Sequence, residues 1–378
     1  MLVITILLLF LIIILILYLD ERYNESSLIV PPTTFYIKDP SFMSSKLKEI
    51  LNNFQIKQIS SLSSASPCIY FLSGYNEAEE ELYNLSSQEL KCVSWVSGVK
   101  GMDYIVGKNY LWATLKDYYR ELELNELVPK CYLLESKSDI TDFLSNCKDL
   151  EEIFILKKNI QQQQGLVLKR RKELDSELLE HFHLDEFVII QKYLKDPFLI
   201  DLRKINMRVY LLITIENNVL KAYIYNDGFI YYTESKYRYT TNVRDSVTTG
   251  LQSDRTVYTR NPLTHSDLRD YLTKEGLSPS KLFSNIRNCI TKVLLGTKRR
   301  LSGHQGKLNF QLFGCDIQPD LNLNVKLIEI NKAPSLEPKD SRDSKLKSRL
   351  QNDIFEVLNP ELNMRSSLGG GGFEMLNI

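Results

Sequence analysis

Asp316, Glu329 and Asn331 are spaced to hold a cation. They lie within 309–336, NFQLFGCDIQPDLNLNVKLIEINKAPSL, where residues 310–317 and 325–331 are rich in β-branched, aromatic and leucyl side chains. The link between those runs carries Pro319, Asp320, Asn322 and Asn324, a pattern that predicts a β-hairpin. With the turn centred between Asn322 and Leu323, Asp316 and Glu329 oppose each other, and opposed residues share a face of the sheet. Asn331, two residues past Glu329, points the same way. Two carboxylates and an amide oxygen suit Mg²⁺, which takes one or two carboxylates and completes its shell with water and phosphate. The alternative is a surface hairpin with scattered polar residues. Against it, Ile328 and Ile330 flank Glu329, and acids embedded in apolar strand are costly to bury without a compensating cation.

Three further groups could carry chemistry. Residues 205–215 alternate as a strand, with Ile205, Met207, Val209, Leu211 and Ile213 on one face and Lys204, Asn206, Arg208 and Tyr210 on the other. Lys204 and Arg208, four apart on one face, could clamp a polyphosphate, or simply face water from a half-exposed sheet. Lys157 ends the strand predicted over 153–156 and precedes a polar segment, so it could reach a phosphate or decorate the surface. Gln191, Lys192, Tyr193 and Leu194 leave the apolar run 187–190; such a connector can offer backbone groups to an adenine edge, or be a plain strand exit.

The elements behind these residues fit a chain of 378 residues, long enough for two or three packed domains. Forty-seven basic residues balance forty-seven acidic ones, so no global charge field marks nucleic acid as a partner. Basic residues cluster locally at 157–158, 169–172 and 298–300; such runs are solvated faces in most chains, and near an active site they suit an acidic substrate. Residues 2–19 are uncharged and dominated by Leu and Ile, long enough to span a bilayer, with no basic region before them and no small-x-small cleavage site. An uncleaved transmembrane anchor over 1–19 is therefore expected. The six cysteines form no CxxC or metal spacing and read as reduced thiols, which places the remaining domains in the cytosol.

After the anchor, 20–65 read as a stalk or linker, with Pro31, Pro32 and the run SSLSSASP. Residues 66–129 predict a small N-terminal α/β domain, 130–185 a central subdomain and 186–358 a C-terminal one. The last holds strands over 205–215 and 219–225, a helix over 282–295, the hairpin, and a helix over 345–358. Residues 359–378, with their four glycines 369–372, predict a flexible tail.

Five blocks in order, FILKK, QGLVL, IIQKYLKDPFLIDLRKINMRVYLLIT, YTTN and FQLFGCDIQPDLNLNVKLIEINKAPSL, resemble the tubulin tyrosine ligase-like family, and IVGKNYLW and VPKCYLLESKSDITDFL look like its preceding region. The likeness covers about 95–358. It implies an α/β (α+β) ATP-grasp fold and an ATP- and Mg²⁺-dependent amino-acid ligase. Such an enzyme activates a carboxylate as an acyl-phosphate and joins an amino acid (glutamate, glycine or tyrosine) to an acidic tail such as that of tubulin. By the same likeness Lys157 is the nucleotide lysine, Gln191, Lys192, Tyr193 and Leu194 the adenine hinge, and Lys204 and Arg208 phosphate contacts. Asn242 would line the site, Asp316, Glu329 and Asn331 would hold Mg²⁺, and Arg208 and Glu329 would be catalytic. The expected partners are tubulin or another acidic-tailed protein, a free amino acid and, through the anchor, a membrane; a monomer is expected. The chain departs from the family in having Asn206 for an aspartate and Tyr231 for an arginine. That leaves two alternatives: a catalytically impaired descendant that binds nucleotide or tubulin, and a ligase acting on another substrate.

Overall fold

The computed structural model describes residues 30–62, 66–73, 77–160, 165–249, 255–359 and 372–378. Short strands β1 (Thr34–Ile37), β2 (Lys57–Gln58), β3 (Cys68–Phe71) and β4 (Val93–Ser97) pair in parallel and form one half of the larger sheet. A separate antiparallel sheet holds β5 (Cys131–Leu133), β6 (Ile153–Lys158), β7 (Leu166–Arg170) and β8 (Phe187–Lys192), in the order β5-β8-β6-β7. The other half of the larger sheet is antiparallel: β9 (Leu199–Ile200), β10 (Arg203–Glu216), β11 (Val219–Thr233), β12 (Thr248–Thr249), β13 (Leu308–Pro319), β14 (Val325–Asn331) and β15 (Phe373–Met375). The start of β13 pairs with β4 and its end with β14, so one strand joins the two halves.

Local chemistry explains the main elements. Asn217 and Asn218 both take positive φ, which Asn tolerates, and this two-residue turn joins β10 to β11. The helices that matter below are α1 (Ala78–Tyr83), α2 (Asp103–Val106), α3 (Lys108–Tyr118), α4 (Pro279–Thr297) and α5 (Ser341–Leu358). Ser278 caps α4 through the Lys281 N–H and Pro279 opens it, while Leu282, Ile286, Ile290, Val293 and Leu294 form its buried stripe. Leu211 and Leu212 point to opposite faces of the larger sheet and belong to different core clusters, so both faces are covered. α4 packs on the first cluster, and the second joins Phe35, Trp95 and Phe310 to Phe355 of α5. A third cluster, around Phe143, Phe154 and Phe182, backs the smaller sheet.

Several expectations are corrected. Among the described residues no helix is long and apolar enough to cross a membrane, and the anchor expected over 1–19 lies outside them. The transmembrane helix, the membrane partner and the placement that followed from them are therefore not retained. Residues 34–58, expected as stalk, carry β1, β2 and a helix (Ser45–Asn53) whose Ile50 and Leu51 are core residues. The boundary expected at 185/186 cuts the smaller sheet, because β8 lies between β5 and β6. The tail expected over 359–378 ends in β15, which pairs with β11, and Leu376 is buried; 360–371 lie outside the described residues.

Candidate active site

The hairpin β13–β14 is turned by Asp320. Its carboxylate accepts from the N–H of Asn322 and Asn324 and from the Asn324 side chain. Leu323 takes a positive φ with its side chain buried, and Asn285 of α4 donates to its carbonyl at 2.9 Å. Pro319 pairs with Val325, so the turn is centred on Asn322 rather than between 322 and 323. A bulge at Ile328 then restores the register that opposes Asp316 to Glu329. On its other side Asp316 opposes Arg208 of β10. Arg208, Asp316 and Glu329 thus form a row across three adjacent strands.

The row is a charge chain in a largely buried setting. Arg208 holds Asp316 by two parallel bonds, Nε–Oδ1 2.6 Å and Nη2–Oδ2 3.2 Å, and lies over the Tyr231 ring at 5.4 Å. Gly314 gives the guanidinium its path, since a Cβ there would sit 3.0 Å from Arg208 Cδ. Asn331 Nδ2 lies 3.5 Å from Asp316 Oδ2 and 3.4 Å from Glu329 Oε1, so the three expected metal ligands converge. Burial, together with the neighbouring Glu329, raises the Asp316 carboxyl above its usual range against the pull of Arg208. Burial also opposes the charge on Glu329, but Lys108, Lys157 and Arg208 outweigh it and hold that carboxyl below its usual range.

Two buried lysines face this row. Lys157, at the end of β6, is 4% exposed, and its side-chain amine has no hydrogen bond or ion pair among the described residues. Lys204 is 5% exposed and donates only to neutral oxygens, Tyr193 Oη at 3.2 Å and the Ser246 carbonyl at 3.1 Å. Burial, with Lys157 as the second cause, brings the Lys204 amine down to about 7. In the hinge, Gln191 is buried and donates to Cys131 Sγ at 3.2 Å, and Lys192 pairs with Glu152 on the rim. The N–H groups of Lys192 and Tyr193 are engaged by Lys130 and Ile153, whereas that of Leu194 has no backbone partner among the described residues. Asn242 is not gathered into this group: it is exposed, and its side chain caps the turn Val243–Ser246 through the Arg244 N–H at 2.9 Å.

The donor set fits a cation of limited protein ligation. Among the described residues no three His, Cys, Asp or Glu side chains gather as a metal cluster, so two carboxylates and an amide fit Mg²⁺ only with phosphate or water completing its shell. The two uncompensated lysines are what a polyphosphate would neutralise, and the free Leu194 N–H is what an adenine edge would accept.

A model of the tubulin-tyrosine ligase family matches residues 88–366. The chain belongs to the tubulin-tyrosine ligase family. It is 29% identical over 205 residues to the probable tubulin polyglutamylase ttll-9 of Caenorhabditis elegans, covering 50% of this chain and 46% of that protein. It is 28% identical over 210 residues to the probable tubulin polyglutamylase TTLL9 of Mus musculus, covering 50% and 43%. To the tubulin polyglutamylase TTLL5 of Homo sapiens it is 24% identical over 197 residues, covering 46% and 15%. The matches span less than half the length of these relatives.

Within this tubulin-tyrosine ligase family member, Lys108 is a site residue that the sequence reasoning missed. It opens α3, its Nζ lies 3.9 Å from Glu329 Oε2 and donates to the Ile160 carbonyl at 3.0 Å, and its N–H donates to Asn159. Its signal was its place at a helix start inside the IVGKNYLW block. Lys108, Trp112, Gln191, Ile328 and Glu329 line a largely apolar cavity behind the row. The family departures also meet: Asn206 and Tyr231 are directly opposed on β10 and β11, and the buried Asn206 Oδ1 has no hydrogen-bond partner among the described residues.

Proposed function

We propose that this protein is an ATP- and Mg²⁺-dependent amino-acid ligase that joins glutamate through an amide to an acidic protein tail such as that of tubulin. The observation that carries the reading is the row Arg208–Asp316–Glu329 set against the buried, uncompensated Lys157 and Lys204. The relatives' names favour glutamate over tyrosine. When bound, Mg²⁺ on Asp316, Glu329 and Asn331 would spread the charge of the phosphate oxygens. ATP phosphorylates the acceptor carboxylate; the amine of the incoming glutamate then attacks the acyl-phosphate carbon and releases phosphate. Lys157, Lys204 and Lys108 bind and align the phosphates, with Leu194 fixing the base. Arg208 fixes Asp316 and faces the place where the activated carboxylate would lie. Full-length protein with ATP, Mg²⁺, tubulin and labelled glutamate tests this. No label above a Glu329→Gln blank defeats the ligase reading. A fragment starting at residue 60 is unsuitable, since it lacks β1 and β2.

Lys204 gives the nucleotide site a pH signature. Its amine, at about 7 in the free protein, rises when an anion contacts it, because the charged form gains the interaction. Binding therefore takes up a proton, more of it above pH 7 than below, and affinity falls as pH rises. Calorimetry with a non-hydrolysable ATP analogue in buffers of different ionisation heat reads the uptake. Lys204→Arg should abolish it, and equal uptake in both proteins would place the proton elsewhere.

Asn206, whose Oδ1 has no hydrogen-bond partner among the described residues, stands opposite Tyr231 and favours a second reading, in which nucleotide binds but ligation does not follow. Asn206→Asp/Tyr231→Arg is then expected to create incorporation that the natural chain lacks. If the natural chain incorporates glutamate and the double variant does so no faster, that reading fails.

A further inference from the structure

Lys332 directly follows the expected metal ligand Asn331, yet the chemistry above makes no use of it. The residue is 6% exposed, and its amine pairs with Asp103 at 2.9 Å. Its carbonyl accepts from the Gln311 side chain of β13, so the backbone just past Asn331 is held as well. Burying such an ion pair gains little net stability, because lost hydration offsets the attraction. What the pair fixes is geometry: the helix that carries the acid is held to the strand that carries the lysine.

That helix leads into the site. Asp103 opens α2, and Glu79 of α1 accepts the N–H of Gly101 and of Asp103 at 2.7 Å each, which fixes where α2 begins. The Asp103 carbonyl accepts the Gly107 N–H at 2.9 Å and closes the single turn; the next residue is Lys108, the first of α3. Lys108 then returns to the strand, its amine 3.9 Å from Glu329 Oε2. The two ends of one helical turn are thus pinned at two places on the same short stretch, Lys332 and Glu329, with Asn331 between them. Lys108 is held from its other side by the Ile160 carbonyl and, through its N–H, by Asn159.

We propose that Lys332 and Asp103 are positioning residues for the cation and nucleotide site: through α2, their pair sets where the Lys108 amine meets Glu329. They act through Lys108 and not on the nucleotide itself. Outer partners of this kind orient the groups that bind, and removing one weakens binding without removing any direct contact. The proposal rests on the reading of Lys108, Glu329 and Asn331 as site residues, yet the hold on α2 can be measured with no nucleotide present.

Lys332→Met removes the charge and keeps most of the stem, and it leaves Asp103, whose side chain is 42% exposed, to water, so the fold should survive. In the free full-length protein, hydrogen exchange at the Gly107 and Lys108 amides should quicken severalfold, while the helix Ser176–Leu184 keeps its rate. Affinity for a non-hydrolysable ATP analogue is then read with and without Mg²⁺. The gain that Mg²⁺ confers should shrink roughly tenfold in Lys332→Met. Lys108→Met should shrink it likewise, and adding Lys332→Met to that variant should change it no further, because the two act in series. Should Lys332→Met fail to fold, Asp103→Ala carries the same comparisons from the other side of the pair. Unchanged exchange at 107–108, a magnesium gain equal to the parent's, or losses that multiply in the double variant overturns the proposal. A parent that binds no analogue, while its exchange still responds to Lys332→Met, sinks the reading of the site and leaves the hold on α2 standing.

Discussion

Glu329→Gln is expected to lower glutamate incorporation by at least about a thousandfold and to abolish the magnesium dependence of nucleotide affinity. The substitution keeps shape, and a glutamine Oε1 can still accept from Asn331, so melting should change little. What disappears is the negative charge. In the present arrangement Lys108, Lys157 and Arg208 hold Glu329 ionised despite its burial, and Lys157 in turn leans on it. Without it Lys157, already displaced downward by burial, loses its main electrostatic support and is harder to keep charged. Incorporation within tenfold of the parent, at matched magnesium, would remove Glu329 from the chemistry.

The second large effect is on stability. Arg208→Ala should cost about 3–5 kcal/mol, read as a drop in the urea midpoint, because it leaves the Asp316 carboxylate buried beside Glu329 with its bidentate partner gone. Arg208→Ala/Asp316→Asn should recover part of that loss, since the orphaned charge is then removed, while activity stays low. If the double variant is no more stable than the single one, the penalty arises from lost packing of the arginine stem and not from charge. The two outcomes differ in sign, so one set of unfolding curves decides between them.

Much of the site was legible from spacing, though not always for the right reason. Asp316 and Glu329 do oppose each other, as a turn centred between Asn322 and Leu323 predicts. The turn is in fact centred one half-step earlier, and the bulge at Ile328 makes up the difference. Period-two patterning carries no sign of a single extra residue. The long strand β10, the first half of β11 and α4 were equally plain, because each is set by local periodicity and capping; the second half of β11, beyond the expected 219–225, was not. Arg208 was legible as a basic residue on a strand face, but its partner was not. Arg208 and Asp316 are 108 positions apart, and which strand lies beside which is decided by the packed sheet. The same blindness made a stalk of 34–58, whose strands are too short to show a pattern between Pro31–Pro32 and the serine run. It also assigned β8 to the wrong unit, although its apolar run was recognised as a strand. The expected place of Asn242 in the site came from likeness alone, and the side chain is instead spent on capping a turn.

The pairing of β15 with β11 bears on how the protein should be handled. Asp353 of α5 receives both the Tyr225 hydroxyl and the Gly372 N–H, Leu376 N–H reaches the Ala222 carbonyl, and Glu374 pairs with Arg287. A reporter inserted directly after β15 would therefore tug on a strand that seals the sheet, and loss of signal from such a fusion would say more about its attachment than about the protein. A spacer of several residues before the reporter leaves that seam intact.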